Sequence, residues 1–327
     1  MLKIAVLLGL LSAVTSQVYR GQPLDDHAMN FLVKVYARFP HQQQGFTKQQ
    51  AGGGFIVSQT MILTAAHNVV VLKNLKLPLI EVEVVAGTKN LAETPLSGMQ
   101  THAVLAERVH VYPRFINFAT GQYDNRYDVA LIVLLRPLRL GPMVRVANMG
   151  QPPMGLGHSC HVMGWGVTSK IAPDQNGILR EFVFDSSLTA MIGTVKKLHH
   201  SQCDNFFGHM FYRTHHMCYG CQQGDMCQAP GKGDSGGPLV CSHQGRFYVV
   251  AVHTMGCNNH AQTCRPESPS AGVTINRAIL QWINFVSEFQ AEEDRQKQPR
   301  YNLHTTTGGG DGGLEGNYVN EICTQTF

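Results

Sequence analysis

The chain has 327 residues, a formal net charge of +4, 43% apolar residues and 15% charged residues. That size and apolar share allow one large domain or two smaller ones around a sizeable core. A charge this mild, with no long Lys/Arg block, argues against nucleic acid as a partner.

Residues 1–17, MLKIAVLLGLLSAVTSQ, read as a secretory signal. Lys3 supplies the positive start, and Ile4 to Val14 is an apolar run too short to span a bilayer comfortably. Val14 and Ser16 suit cleavage after Ser16. A membrane anchor is the competing reading, and the shortness of the run disfavours it. No later run reaches about 18 apolar residues, so no membrane partner is expected. Secretion implies an oxidising compartment, in which most of the nine Cys should be paired. No N-x-S/T acceptor occurs, so N-linked sugar is not expected.

From Phe31 to about Thr274 the text is β-rich. FLVKVYARF, GGFIVSQTMILTAAH, EVEVVAG, DVALIVLL and RFYVVAVHTMG are short β-branched or apolar runs punctuated by Gly, Pro and Asn. Many short strands with turn signals point to a sandwich or barrel. One helical run follows, NRAILQWINFVSEF at 276–289, with apolar residues at Ile279, Trp282, Ile283 and Val286. Residues 290–327 are polar, Gly-rich and poor in core formers, and read as a flexible tail. The expected organisation is therefore a leader, 1–17, a single β-rich unit, 18–289, and the tail.

Three islands carry candidate chemistry. LTAAH ends a strand-like run at His67, YDVALIVLL opens a buried strand with Asp128, and GDSGGPLVC carries Ser235. Each residue alone has an ordinary structural reading: a packed histidine, a cap aspartate, a turn serine. Together, and in the order His, Asp, Ser, the islands resemble those of the chymotrypsin/trypsin family of serine endopeptidases. The resemblance runs from about Val18 to Phe285 and includes GWG at 164–166 after Cys160 and QWI in the closing helix.

The resemblance implies two six-stranded antiparallel β-barrels with the active site in the cleft between them. It makes His67 the general base and then general acid, Asp128 the residue that orients its imidazole, and Ser235 the nucleophile. The backbone N–H groups of Gly233 and Ser235 would form the oxyanion hole. Asp234 would pair with a newly exposed ammonium at Val18, since VYRGQP at 18–23 is similar to the family's mature start. Arg20 stands where a Gly is usual. Gln17, rather than Arg or Lys, precedes Val18, so release by signal processing and trimming is expected instead of cleavage by a trypsin-like convertase. No cofactor is implied.

By the same resemblance, Cys160 pairs with Cys241 and Cys203 with Cys218. Cys227 begins a third bridge, to Cys264 or Cys257, and Cys221 takes the remaining one; the preferred set is Cys227–Cys264 and Cys221–Cys257. Cys323 is left over in the tail, free or linked to another chain. One family bridge is missing. Asn68 replaces the Cys after the histidine, and Ala51 is read as its lost partner. The sequence Cys218-Tyr-Gly-Cys221 near His199, His200, His209, His215 and His216 is an alternative zinc reading, but the His spacing fits no standard ligand pattern. No metal is therefore expected.

Specificity is read from the pocket segments. Counting from Cys218, the pocket base is Asp225, whose carboxylate would favour Arg or Lys; counting back from Ser235 gives Ala229, because APGK (229–232) is inserted. Thr254, Met255 and Gly256 occupy the family's Ser-Trp-Gly strand, which pairs with substrate backbone, and Gly272 lies on the opposite wall. Two functions follow. The first is a secreted endopeptidase acting on protein or peptide substrates, and open to a protein inhibitor. The second is a non-catalytic homologue that binds or regulates a partner, favoured by the altered start, the lost bridge, the insertion and the tail.

Overall fold

The computed structural model describes residues 15–17, 22–24, 30–40, 47–70, 79–92, 98–117, 120–166, 168–173, 179–184, 188–222, 228–256 and 268–297. The β-rich region folds into two antiparallel sheets of seven strands each, with small accessory pairings. The first sheet holds β1 (Leu32–Pro40), β2 (Thr47–Ser58), β3 (Met61–Thr64), β4 (Glu81–Ala86), β5 (Gln100–Leu105), β6 (Val109–Val111) and β7 (Ala130–Val133). Its order is β5-β4-β1-β2-β3-β7-β6. The two edge strands, β5 and β6, are joined only by the 3-10 turn Ala106–Arg108. A connection that short requires the sheet to curl until its edges approach each other.

The second sheet holds β8 (Ser159–Gly164), β9 (Met191–Lys197), β10 (His216–Gly220), β11 (Pro238–His243), β12 (Arg246–Met255) and β13 (Ser270–Thr274), with Gln22–Pro23 added at the edge of β9. Its order is β8-β11-β12-β13-β10-β9, and β9 pairs again with β8, which closes a six-stranded barrel. Of the two barrels expected, one closes and the other is a curled half-barrel. The physical difference is that β5 and β6 never pair with each other.

The strands form where the sequence places its β-branched and apolar runs. Phe55, Ile56, Ile62, Leu63, Leu131 and Ile132, on the adjacent strands β2, β3 and β7, are all fully buried. Cys160 and Cys241 are direct cross-strand partners on β8 and β11 and are bridged. Cys203, on helix α2 (His200–Phe207; α1 is Ala66–Val69), is bridged to Cys218 on β10. Cys221 is also disulfide-bonded, to a residue outside the described set. Cys227, Cys257, Cys264 and Cys323 lie outside the described residues, so the proposed Cys227–Cys264 and Cys221–Cys257 pairings do too.

The closing helix α3 spans Arg277–Lys297, eight residues beyond the sequence reading. It buries Ile279, Trp282, Ile283 and Val286 and then Gln290, against the first sheet. Trp282 meets the Tyr112 ring edge-on at 5.0 Å. The extension, QAEEDRQK, lacks core formers and so reads as tail. It stays helical because its polar groups have buried partners. Gln290 Oε1 bonds His110 Nε2 at 3.1 Å, and Asp294 receives Arg108 Nη1 and Nη2 at 2.7 and 3.0 Å. Glu292–Arg295 and Glu293–Lys297 add helical i,i+3 and i,i+4 pairs.

Thr15–Gln17, the end of the segment read as a leader, pairs as a strand with Thr168–Lys170. Val18 and residues 1–14 lie outside the described residues. No described helix is long and apolar enough to cross a membrane.

Candidate active site

His67 sits on α1, a single turn that follows β3 directly. No side chain caps this turn from Ala65. Instead the Asp128 carboxylate takes hold of it twice: Oδ1 accepts the His67 backbone N–H at 2.9 Å, and Oδ2 bonds Nδ1 at 2.6 Å. Because an ionised carboxylate can only accept, Nδ1 carries the proton and Nε2 presents its lone pair. Asp128 follows the 3-10 turn Asn125–Tyr127, whose start is capped by Asp124 accepting the Arg126 N–H, and leads into β7. Asp128 is 5% exposed. Burial disfavours the charged imidazole of His67, but the attraction of Asp128 and its hydrogen bond together outweigh burial and hold the pKa above the ordinary histidine value.

Ser235 occupies a tight turn between the two sheets. Asp234 N–H donates to Gly231 O, Gly237 N–H to Asp234 O, and Gly236 N–H to His253 O. The Ser235 carbonyl accepts Gly53 N–H at 2.8 Å and the Asn68 side-chain Nδ2 at 2.7 Å. The loop carrying Ser235 is thereby tied to the residue next to His67. Gly236 has φ +85°, and a Cβ there would run into Gly53 and Thr64, so only glycine fits. Among the described residues, the N–H groups of Gly233 and Ser235 donate to no partner. Two backbone donors beside a serine are the raw material of an oxyanion site.

Asp234 points the other way. It is 2% exposed, and its Oδ1 accepts Gly166 N–H at 2.7 Å while Oδ2 accepts Gly231 N–H at 2.8 Å. The carboxylate lies flat against the GWG segment: a Cβ on Gly166 would stand 2.6 Å from Oδ2. That close approach accounts for the glycines on either side of Trp165. Burial raises the Asp234 pKa to about 6, against the opposing pull of its two backbone donors and of buried Lys34. Lys34, 4% exposed, is itself held below the ordinary lysine value by burial, with Asp234 opposing.

Of the residues expected to set specificity, Asp225 lies outside the described residues. Thr254 sits at a bulge between β12 and β13, with a buried Oγ1 that has no hydrogen-bond partner among the described residues. Met255 packs against the cluster around Leu198, Phe207 and Phe211. Gly256 adjoins His253, whose Cε1 would be 3.2 Å from a Cβ at 256, and Gly272 pairs directly with His253 across the strands. Sequence reading missed His253. It is 3% exposed, its Nδ1 bonds the hydroxyl of fully buried Tyr219 at 2.5 Å, and burial lowers its pKa to about 3. It is therefore a neutral polar group beside Gly256 and Gly272. A histidine inside the apolar run VVAVH was the available signal.

One sequence reading changes, and the alternative zinc reading that the sequence already disfavoured meets a further obstacle. Gly52, not Ala51, faces Asn68, because a Cβ on Gly52 would overlap the Asn68 amide. The zinc reading loses its thiolates, since Cys218 and Cys221 are both in disulfides.

Residues 19–283 match the family model described as Trypsin. The chain is 26% identical to human chymotrypsin-like elastase family member 1 over 75% of its own length and 84% of that protein. It is 26% identical to mouse granzyme F, over 76% of this chain and 85% of that one. Among solved structures, neuropsin, a serine protease expressed in the limbic system of mouse brain, superposes with a TM-score of 0.56 at 22% identity, covering 82% of this chain and 99% of the other, a likeness of fold. With the family match spanning both sheets and all three islands, the chain belongs to the trypsin family of serine proteases.

Proposed function

We propose that the chain is a secreted serine endopeptidase in which Ser235, His67 and Asp128 form a catalytic triad. The observation that carries this reading is the two-point grip of Asp128 on His67, which leaves Nε2 unprotonated as a base, while Asn68, the next residue, bonds the Ser235 carbonyl. Ser235 Oγ attacks the scissile carbonyl carbon as His67 Nε2 takes its proton. The Gly233 and Ser235 N–H groups receive the developing oxyanion. His67 then protonates the leaving amine, and water, activated by the same nitrogen, hydrolyses the acyl-enzyme. Asp128 stabilises the imidazolium formed in each half.

Val18, freed by processing of the leader, supplies the ammonium for Asp234, whose raised pKa marks a buried carboxylate in want of a cation. Secretion is inferred from the leader-like residues 1–17 and the disulfides. Preference for Arg or Lys rests on Asp225 as pocket base. Thr254, Met255, Gly256 and Gly272 are proposed to form the substrate strand and the pocket walls. The second reading, a non-catalytic binding homologue, is favoured by the same Asp234, whose hydrogen bonds come from backbone amides alone.

The test is labelling of the processed protein with a fluorophosphonate. Labelling that Ser235→Ala abolishes supports the triad. Absence of labelling in protein that N-terminal sequencing shows to begin at Val18 sinks it. Peptide-library profiling that returns aliphatic or aromatic preference rejects Asp225 as pocket base.

A further inference from the structure

Asn68 stands where the resemblance expected half of a disulfide. Its side chain is 3% exposed and lies between three pieces of the site: α1, strand β2 and the Ser235 loop. Nδ2 donates to Ser235 O at 2.7 Å and to Thr64 Oγ1 at 3.1 Å. Thr64 Oγ1 donates its one hydrogen to Gly53 O at 2.7 Å, and Gly53 N–H returns to Ser235 O at 2.8 Å. Chemistry fixes the orientation of the amide. A carbonyl oxygen can only accept, and the Thr64 hydrogen is already committed, so the atom of Asn68 facing both must be the NH₂ group. Space fixes its neighbours: a Cβ on Gly52 or on Gly236 would collide with the Asn68 amide.

We infer that Asn68 is a positioning residue: its amide is a hydrogen-bonded clamp that holds the Ser235 carbonyl, and so the nucleophile turn, against the helix carrying His67. A cross-link between positions 52 and 68 would act one step removed, tying α1 to β2, whose Gly53 N–H bonds the same Ser235 carbonyl. This inference deepens the triad reading and rests on it for its kinetic consequences. Asn68 touches neither substrate nor the reacting atoms. Its loss should loosen the distance between Ser235 Oγ and His67 Nε2, a term felt in kcat and little in KM.

The experiment compares Asn68→Ala, Asn68→Asp and the double variant Gly52→Cys/Asn68→Cys with wild type. Expected is a fall in kcat of about 10- to 100-fold for Asn68→Ala, with KM within about twofold. Asn68→Asp, the same shape but with an acceptor facing the carbonyl, falls at least as far. The double variant, once oxidised, recovers to within a few-fold of wild type and drops again in mild reductant that leaves wild type unaffected. Hydrogen exchange over 232–238 gives a readout independent of catalysis, and exchange there should quicken in Asn68→Ala. Unchanged kcat together with unchanged exchange in Asn68→Ala overturns the clamp, as does a loss confined to thermal stability. If wild type shows no turnover, the triad reading falls and the exchange result alone decides the clamp.

Discussion

The buried carboxylate of Asp234 makes a quantitative prediction about activation. In the chain with its leader attached, Asp234 is buried, is served by two backbone N–H groups, and titrates near pH 6 instead of its ordinary 3.8. Between those values the folded protein keeps a proton that the unfolded chain has released. The folded state therefore binds more protons, and stability falls as pH rises through this window. A shift of roughly two units corresponds to about 3 kcal/mol, fully present as destabilisation above pH 6. Asp234→Asn removes the titration. It also sets an amide NH₂ against one of the two backbone donors, a pH-independent cost of about 1–3 kcal/mol. The slope, not the absolute stability, is thus the diagnostic. Urea unfolding on a Ser235→Ala background at pH 4 and pH 7 should show the leader-bearing protein losing about 2.4 kcal/mol more than its Asp234→Asn counterpart over that interval, since at pH 4 the unfolded carboxyl is already partly ionised. Titrating groups not coupled to Asp234 cancel in the comparison; Lys34, whose pKa Asp234 draws upward, is the exception. In protein beginning at Val18, pairing with the ammonium should draw the Asp234 pKa down and abolish or reverse the excess slope. Equal slopes with and without Asp234 in the leader-bearing protein would refute the burial argument. An unchanged excess slope after processing would refute the Val18–Asp234 pair.

Asp128→Asn leaves the shape of the His67 grip but removes its charge. The His67 pKa, now governed by burial, should fall below 6.5, and kcat should drop by about 10⁴-fold; imidazole NMR titration and steady-state kinetics check both. In wild type, activity should rise with pH through an apparent pKa above 6.5, because Nε2 must be neutral to accept a proton. Asp294→Ala leaves Arg108, whose side chain is 8% exposed, with the Val133 and Leu134 carbonyls as its acceptors among the described residues. Allowing for the 46% exposure of Asp294, this should cost about 1–2 kcal/mol, and a chain ending at residue 289 should show at least the same fall in calorimetric Tm.

Much of the candidate site was legible through the family resemblance of three short islands, whose turns are local. LTAAH, YDVAL and GDSGG each set a strand end and a turn, and those turns need the residues written there: Gly236 for its positive φ, Asp128 to receive two N–H groups at once. The Cys160–Cys241 and Cys203–Cys218 bridges were legible through family resemblance alone. What was not legible depended on contacts distant in sequence. Residues 290–297 look like tail until Arg108, 186 positions away from Asp294, supplies the buried partner. Position 52 rather than 51 faces Asn68 because β2 sets which Cα approaches α1, and a one-residue error in such a register cannot be seen in the sequence. His253 reads as an oddity in an apolar strand until Tyr219, on another strand of the barrel, meets its Nδ1.

Local pattern alone pointed to a sandwich or barrel of short strands and to where many of them would lie; that the sheets would be antiparallel, and which histidine, aspartate and serine were candidates for chemistry, came through the family resemblance of three short islands. Folding alone decided that one sheet closes and the other only curls, that Asp234 is sealed between Gly166 and Gly231, and that Asn68 bonds the Ser235 carbonyl. The reason is the range of the forces. Turn and strand preferences act over a few residues, whereas burial, pKa and hydrogen-bond partners are set by whatever the rest of the chain brings within about 3 Å.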